Sequence, residues 1–190
     1  MGPHFTGGVQ LVNGWNNVED NNSGKTIGLT GAFTGKKATW SNVYYTGPEN
    51  SATNKGWRNL YDTNLLLTPM DQFNAYFNFD YGSNKDPNGK TKSTWKGFAA
   101  AAKIAPTSMF ALTPRIEWFD DTDGFSTGTV QKVKEFTITA EVKMKEGMFT
   151  RFEYRRDWSD KRFFERGATG LSKNQNTLLI GFVAYFGPKR

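Results

Sequence analysis

The stretch Glu135–Met144, EFTITAEVKM, decides the fold. Phe136, Ile138, Ala140, Val142 and Met144 fall on one side of an extended chain, and Glu135, Thr137, Thr139, Glu141 and Lys143 fall on the other. Successive strand side chains point to opposite faces, so this unbroken alternation predicts a strand with one apolar and one charged face. Three more segments repeat the pattern. Thr150, Phe152, Tyr154 and Trp158 alternate with Arg151, Glu153, Arg155 and Asp157. Phe73, Ala75, Phe77, Phe79 and Tyr81 alternate with Asn74, Tyr76, Asn78 and Asp80, and Phe110, Leu112, Ile116 and Trp118 with Thr113, Arg115 and Glu117.

Two kinds of connection separate such runs. Short turns are expected at Gly35-Lys36-Lys37, Pro69-Met70-Asp71, Pro106-Thr107-Ser108 and Glu146-Gly147. Residues 16–25, 46–59, 82–93, 120–132 and 159–175 are rich in Gly, Asn, Asp and Pro, the composition of longer loops. This predicts one domain over residues 1–190, an all-β, up-and-down antiparallel transmembrane β-barrel of about eight strands, with both termini on the short-turn side. The weakest strands are Asn176–Phe186, apolar on both faces, and Ala38–Tyr45, which puts Asn42 on the lipid side. Pro114 has no N–H for a ladder bond, so a bulge is expected there.

The tryptophans support a membrane setting. Trp15, Trp57, Trp95, Trp118 and Trp158 stand where an alternating run meets a long loop. Trp15, Trp40, Tyr81, Trp95, Trp118 and Trp158 are therefore expected at the membrane interfaces, as in the aromatic girdles of outer-membrane barrels. The opposite face would line the lumen with Asn78, Asp80, Arg115, Glu117, Glu141, Lys143, Arg151, Glu153, Arg155 and Asp157. Its opposite charges could pair across strands about 5 Å apart.

Composition agrees. With 37% hydrophobic residues and a mean hydropathy of −0.62, no run nears the ~20 apolar residues of a spanning helix. Barrel strands need only ~9–11 residues and place apolar groups at alternate positions. The net charge of +6 is dispersed among acidic neighbours such as Arg151/Glu153 and Asp160/Lys161, unlike the concentrated basic stripe of a nucleic-acid binder. A soluble sheet or propeller would also alternate. It lacks a reason for the tryptophan placement.

Chemistry is sparse. The single histidine, His4, is at the N-terminal end and cysteine is absent, so nucleophile–base pairs that use them lack a base. No catalytic residue, cofactor or metal site is expected. Asp120-Asp121-Thr122-Asp123-Gly124 has only a fragment of a calcium-loop pattern and reads as a solvated turn, as does Asp20-Asn21-Asn22-Ser23-Gly24. In the loop 159–175, Lys161, Arg162, Arg166 and Lys173 could meet the phosphates of lipopolysaccharide, and Phe163-Phe164 could dip into the interface or the lumen.

Several stretches together resemble the outer-membrane β-barrel porins of type 2, OmpL-like: NGWNNVEDNNSGKT (13–26), YTGPE (45–49), EWFDDTDGFSTGT (117–129), KEFTITAEVK (134–143), EYRRDWSDKRFFE (153–165) and KNQNTLLIGFVAYF (173–186). The resemblance implies a bacterial outer-membrane location among lipids and lipopolysaccharide, and passage of small polar solutes. It is to the C-terminal part of a longer family that carries a signal peptide, whereas Met1–His4 leads straight into strand-like sequence. A mature form or fragment is therefore expected, with half of a larger barrel as one reading. The alternative is a small non-conducting barrel with a charge-plugged lumen, acting as an envelope anchor or surface-binding module.

Overall fold

The computed structural model describes residues 4–14, 19–145 and 147–186, without the Lys145 side chain. It is all-β, with twelve strands in chain order: β1 His4–Val12, β2 Thr26–Thr34, β3 Ala38–Pro48, β4 Trp57–Met70, β5 Phe73–Lys85, β6 Lys92–Ile104, β7 Phe110–Asp121, β8 Gln131–Lys145, β9 Met148–Ser159, β10 Phe164–Arg166, β11 Gly170–Ser172 and β12 Asn174–Ala184. Ten form one antiparallel sheet in the order β1-β2-β3-β4-β5-β6-β7-β8-β9-β12. β10 and β11 make a small hairpin within the last long loop.

The expected count of about eight was too low. Four short turns and five long loops divide a chain into ten strands, and β3 and β12 pair along their whole lengths despite weak alternation. Backbone hydrogen bonding to both neighbours holds β3 where its side-chain pattern is ambiguous. Even its outward Asn42 is satisfied, because the Tyr61 hydroxyl donates to Asn42 Oδ1 at 2.7 Å. The strands run up and down as expected. Among the described residues, however, β1 pairs only with β2 and β12 only with β9, so the sheet is open along both edges.

The short turns also differ in detail. β4 continues through Pro69, whose missing N–H falls inside a register shift between Leu67 and Met70. A second shift occurs at Lys143/Lys145. No bulge forms at Pro114. It stays in register with Ile138 of β8, while on its other side the β6–β7 ladder lapses between Ala101↔Arg115 and Ile104↔Leu112 and then resumes in the same register.

Burial is inverted relative to a water-soluble protein. Thr137, Asp157, Gln131 and Glu135 are buried, while Leu178, Ile180, Phe152 and Ile116 are 82%, 75%, 47% and 53% exposed. Directly paired residues share a face, and the registers assemble Phe77, Phe79, Phe98, Ile116, Phe136, Phe152 and Ile180 on the outward side. A continuous exposed apolar face of this extent needs a non-aqueous cover. A β-sheet closed into a barrel is one of the two backbone arrangements that hydrocarbon tolerates, so the two open edges would need partners there.

Candidate functional site

The inner face of β6 to β9 carries two networks of ion pairs, one centred on Glu141 and one running from Glu117 to Asp157. Lys103 Nζ and Arg151 Nε both reach Glu141, at 2.6 and 3.1 Å. Arg115 bridges Glu117 Oε1 at 3.1 Å and Glu135 Oε1 at 2.9 Å. Arg155 Nη2 joins Glu135 Oε2 at 3.1 Å to Asp157 Oδ1 at 2.8 Å, and Gln175 of β12 donates to Asp157 at 3.0 Å. The Thr137 hydroxyl donates to Glu135, and the Thr139 hydroxyl to Glu153 at 2.7 Å. Period-2 strands aligned in register make this possible, because they stack one charged position per strand across the sheet.

The charges lie at unequal depth. The Arg115, Arg151 and Arg155 side chains are 36%, 48% and 41% exposed, whereas those of Glu135, Glu141 and Asp157 are 3%, 10% and 3% exposed. Long guanidinium side chains thus spread over short recessed carboxylates. Glu117, at 38%, is the most accessible acid of these ion pairs on the inner face.

On β4 and β5 the face is acidic and amide-rich. Asp62 and Asp80 stand directly opposite. Asp62 accepts from Asn64 at 2.5 Å and from Asn78 at 2.7 Å, and the Tyr76 hydroxyl donates to Asn64 at 2.5 Å. Gly97 leaves room for the Asp80 carboxylate, since a Cβ there would lie 2.3 Å from Oδ2.

At the long-loop end, the β7–β8 connection folds over this face. Asp121, fully buried, accepts from the backbone N–H groups of Ser126 and Thr127 at 3.0 and 2.7 Å, and from the Thr127 hydroxyl at 2.8 Å. Asp123 accepts from the Thr94 backbone N–H at 2.7 Å. Gln131 donates to Thr127 and accepts from Ser159. These bonds set Phe125 flat against Trp95, centroids 5.1 Å apart at 11°, with the Arg58 guanidinium 5.0 Å from the Phe125 ring. Trp95 itself lies over Gly82, the residue it pairs with.

The expected lumen residues therefore share the inner face: Asn78 and Asp80 on β5, Arg115 and Glu117 on β7, Glu141 and Lys143 on β8, and Arg151, Glu153, Arg155 and Asp157 on β9. Of the expected interface aromatics, Trp40, Tyr81, Trp118 and Trp158 are on the outward side. Trp15 lies outside the described residues. Trp95 differs: only 5% exposed, it is an inner-face residue beneath Phe125, because the facing Gly82 leaves space for its ring. The aspartates of 120–124 are likewise not a solvated turn but the anchors of their loop, and Phe164 is buried against Phe163. Lys103, Asp62, Arg58 and Phe125 escaped the sequence reading. Lys103 shares its face with Trp95, expected at the membrane interface, and the intervening Gly97, Ala99 and Ala101 carry no polarity signal, so the sequence had nothing to set it inward.

Comparison with known proteins agrees with this geometry. An anion-selective porin from Comamonas acidovorans has a similar structure, with a TM-score of 0.68 at 9% identity, covering 85% of this chain and 49% of that one. The chain thus spans about half the length of that porin. No curated protein matches the sequence. A family model described as "Putative beta-barrel porin-2, OmpL-like" matches residues 2–186, and with nearly the whole sequence covered, the chain belongs to that porin family.

Proposed function

We propose that this chain provides the wall of a non-enzymatic diffusion channel in a bacterial outer membrane, passing small polar solutes with a preference for anions. The observation that carries the reading is the unequal depth of the inner-face charges. A solute moving along β6 to β9 meets half-exposed guanidinium groups before the carboxylates recessed beneath them. Charges that line a pore set which ions approach it. In such a channel the folded β7–β8 loop, with Phe125 stacked on Trp95, would stand at the long-loop mouth. The family and the anion-selective neighbour support the same reading.

Planar-bilayer recording of the purified chain under a potassium chloride gradient tests it. Open-channel steps with a reversal potential on the chloride side are expected. Arg151→Gln/Arg155→Gln should move that potential toward potassium. A silent bilayer would favour the plugged barrel, and an unmoved potential would remove the role given to the arginines.

A further inference from the structure

On the inner face, Lys103, Arg115, Arg151 and Arg155 have carboxylate partners. The outward face at the long-loop end is different. Lys134 pairs directly with Trp118 on one side and Trp158 on the other, so the three share that face, and Arg156 sits one step along beside Phe136. Lys96 Nζ lies 5.5 Å from the Trp118 ring centroid, and Lys173 immediately precedes β12. Among the described residues, Lys134, Arg156 and Lys173 have no carboxylate within ion-pair reach, and Asp120 on the same face is engaged by Lys132 at 3.6 Å. A groove of about 460 Å³ runs between Phe136, Arg156, Trp158, Lys173 and Asn174.

We infer that this basic, tryptophan-flanked groove binds the headgroup of a lipid bearing a phosphate monoester. The inference rests on the reading that the outward face meets a bilayer. A cation on that face is costly at the bilayer midplane and nearly free at the interface, and tryptophans mark interfacial depth. Cations placed there without protein partners remain available to anionic headgroups. A guanidinium matches phosphate oxygens bidentately, and lysines add point charge. A lipid fits better than a soluble phosphate, because Phe136, Ile138, Phe152 and Ile180 continue below the groove as a surface for acyl chains.

The test titrates the purified chain in zwitterionic micelles with phosphatidic acid or phosphatidylcholine, counting bound lipid by native mass spectrometry. Phosphatidic acid should bind on the order of a hundredfold more tightly, each of three basic side chains contributing about fivefold. Lys134→Gln/Arg156→Gln/Lys173→Gln should abolish the preference. Lys36→Gln/Lys37→Gln, at the opposite end, should retain it, and inorganic phosphate should not displace the lipid. Equal binding of both lipids by a folded wild type, retention of the preference by the triple variant, its loss in the control, or displacement by inorganic phosphate would each overturn the inference. A chain that enters neither micelles nor vesicles takes the membrane reading down with it; one that inserts without discriminating leaves that reading intact.

Discussion

Neutralising Glu135 should loosen the wall without changing its shape. Its 3%-exposed carboxylate contacts Arg115 at 2.9 Å and Arg155 at 3.1 Å and accepts the Thr137 hydroxyl. Breaking a buried ion pair costs about 3–5 kcal/mol when the remaining charge is stranded. Here both guanidinium groups are more than a third exposed, so water replaces part of what is lost, and glutamine keeps one acceptor oxygen. Glu135→Gln should therefore cost about 2 kcal/mol, up to about thirtyfold in the unfolding equilibrium. Reversible urea unfolding from phospholipid vesicles measures this, and Glu153→Gln provides a control. Glu153 accepts a bond from Thr139 but makes no ion pair among the described residues, so its loss should cost no more than about 1 kcal/mol. In an Arg115→Gln/Arg155→Gln background the Glu135→Gln penalty should fall by at least half, as a double-mutant cycle requires of groups in contact. A penalty below about 0.5 kcal/mol, or one unchanged in that background, would refute the view that the recessed carboxylate holds the arginine layer together.

Two further outcomes follow from the loops and their supports. Gly82→Ala puts a Cβ 2.0 Å from the Trp95 ring, so the ring must move and Phe125 with it; a cost of about 1–3 kcal/mol is expected, with faster amide exchange in residues 122–130, and neither change would appear if the stack were incidental. Asp160, just beyond β9, accepts the Lys132 backbone N–H at 2.8 Å, which with the nearby Lys161 holds its carboxyl below the ordinary carboxylate range. Because the folded value is the lower one, this stabilising contribution is full above the ordinary value of ~3.9 and is lost as pH falls through the folded value. An NMR titration of the Lys132 amide should show a midpoint below ~3.9, and one at or above it would contradict the bond.

The features legible in the sequence were those with a period. Alternation in β5, β7, β8 and β9 gave their faces, and the registers put the residues expected in the lumen on one shared face, opposite the exposed apolar one. Turn composition gave the connections and the side on which β1 and β12 begin and end. What escaped had no local signature. Trp95 occupies the loop end of a strand, as Trp118 and Trp158 do; its inward position depends on Gly82 across the ladder and Phe125 thirty residues on. Asp121 is in a run of acidic and turn residues that looks solvated until the loop closes around it. The tally of strands ran low although four short turns and five long loops delimit ten; β3 and β12, expected as the weakest strands, are kept extended by neighbouring backbones and not by side-chain polarity.

The lapse beside Pro114 has a consequence for how the wall holds together. Two successive rungs are missing between β6 and β7, at Ala102/Pro114 and Lys103/Thr113, and a seam there could slip. At that level the Lys103 ammonium reaches past β7 to Glu141 on β8, stitching the strands on either side of the one that lost its rungs. Lys103 is therefore a rivet of the wall. On the proposed channel reading, redesign of ion preference belongs at Arg151 and Arg155, whose exchange leaves the Lys103–Glu141 bridge in place.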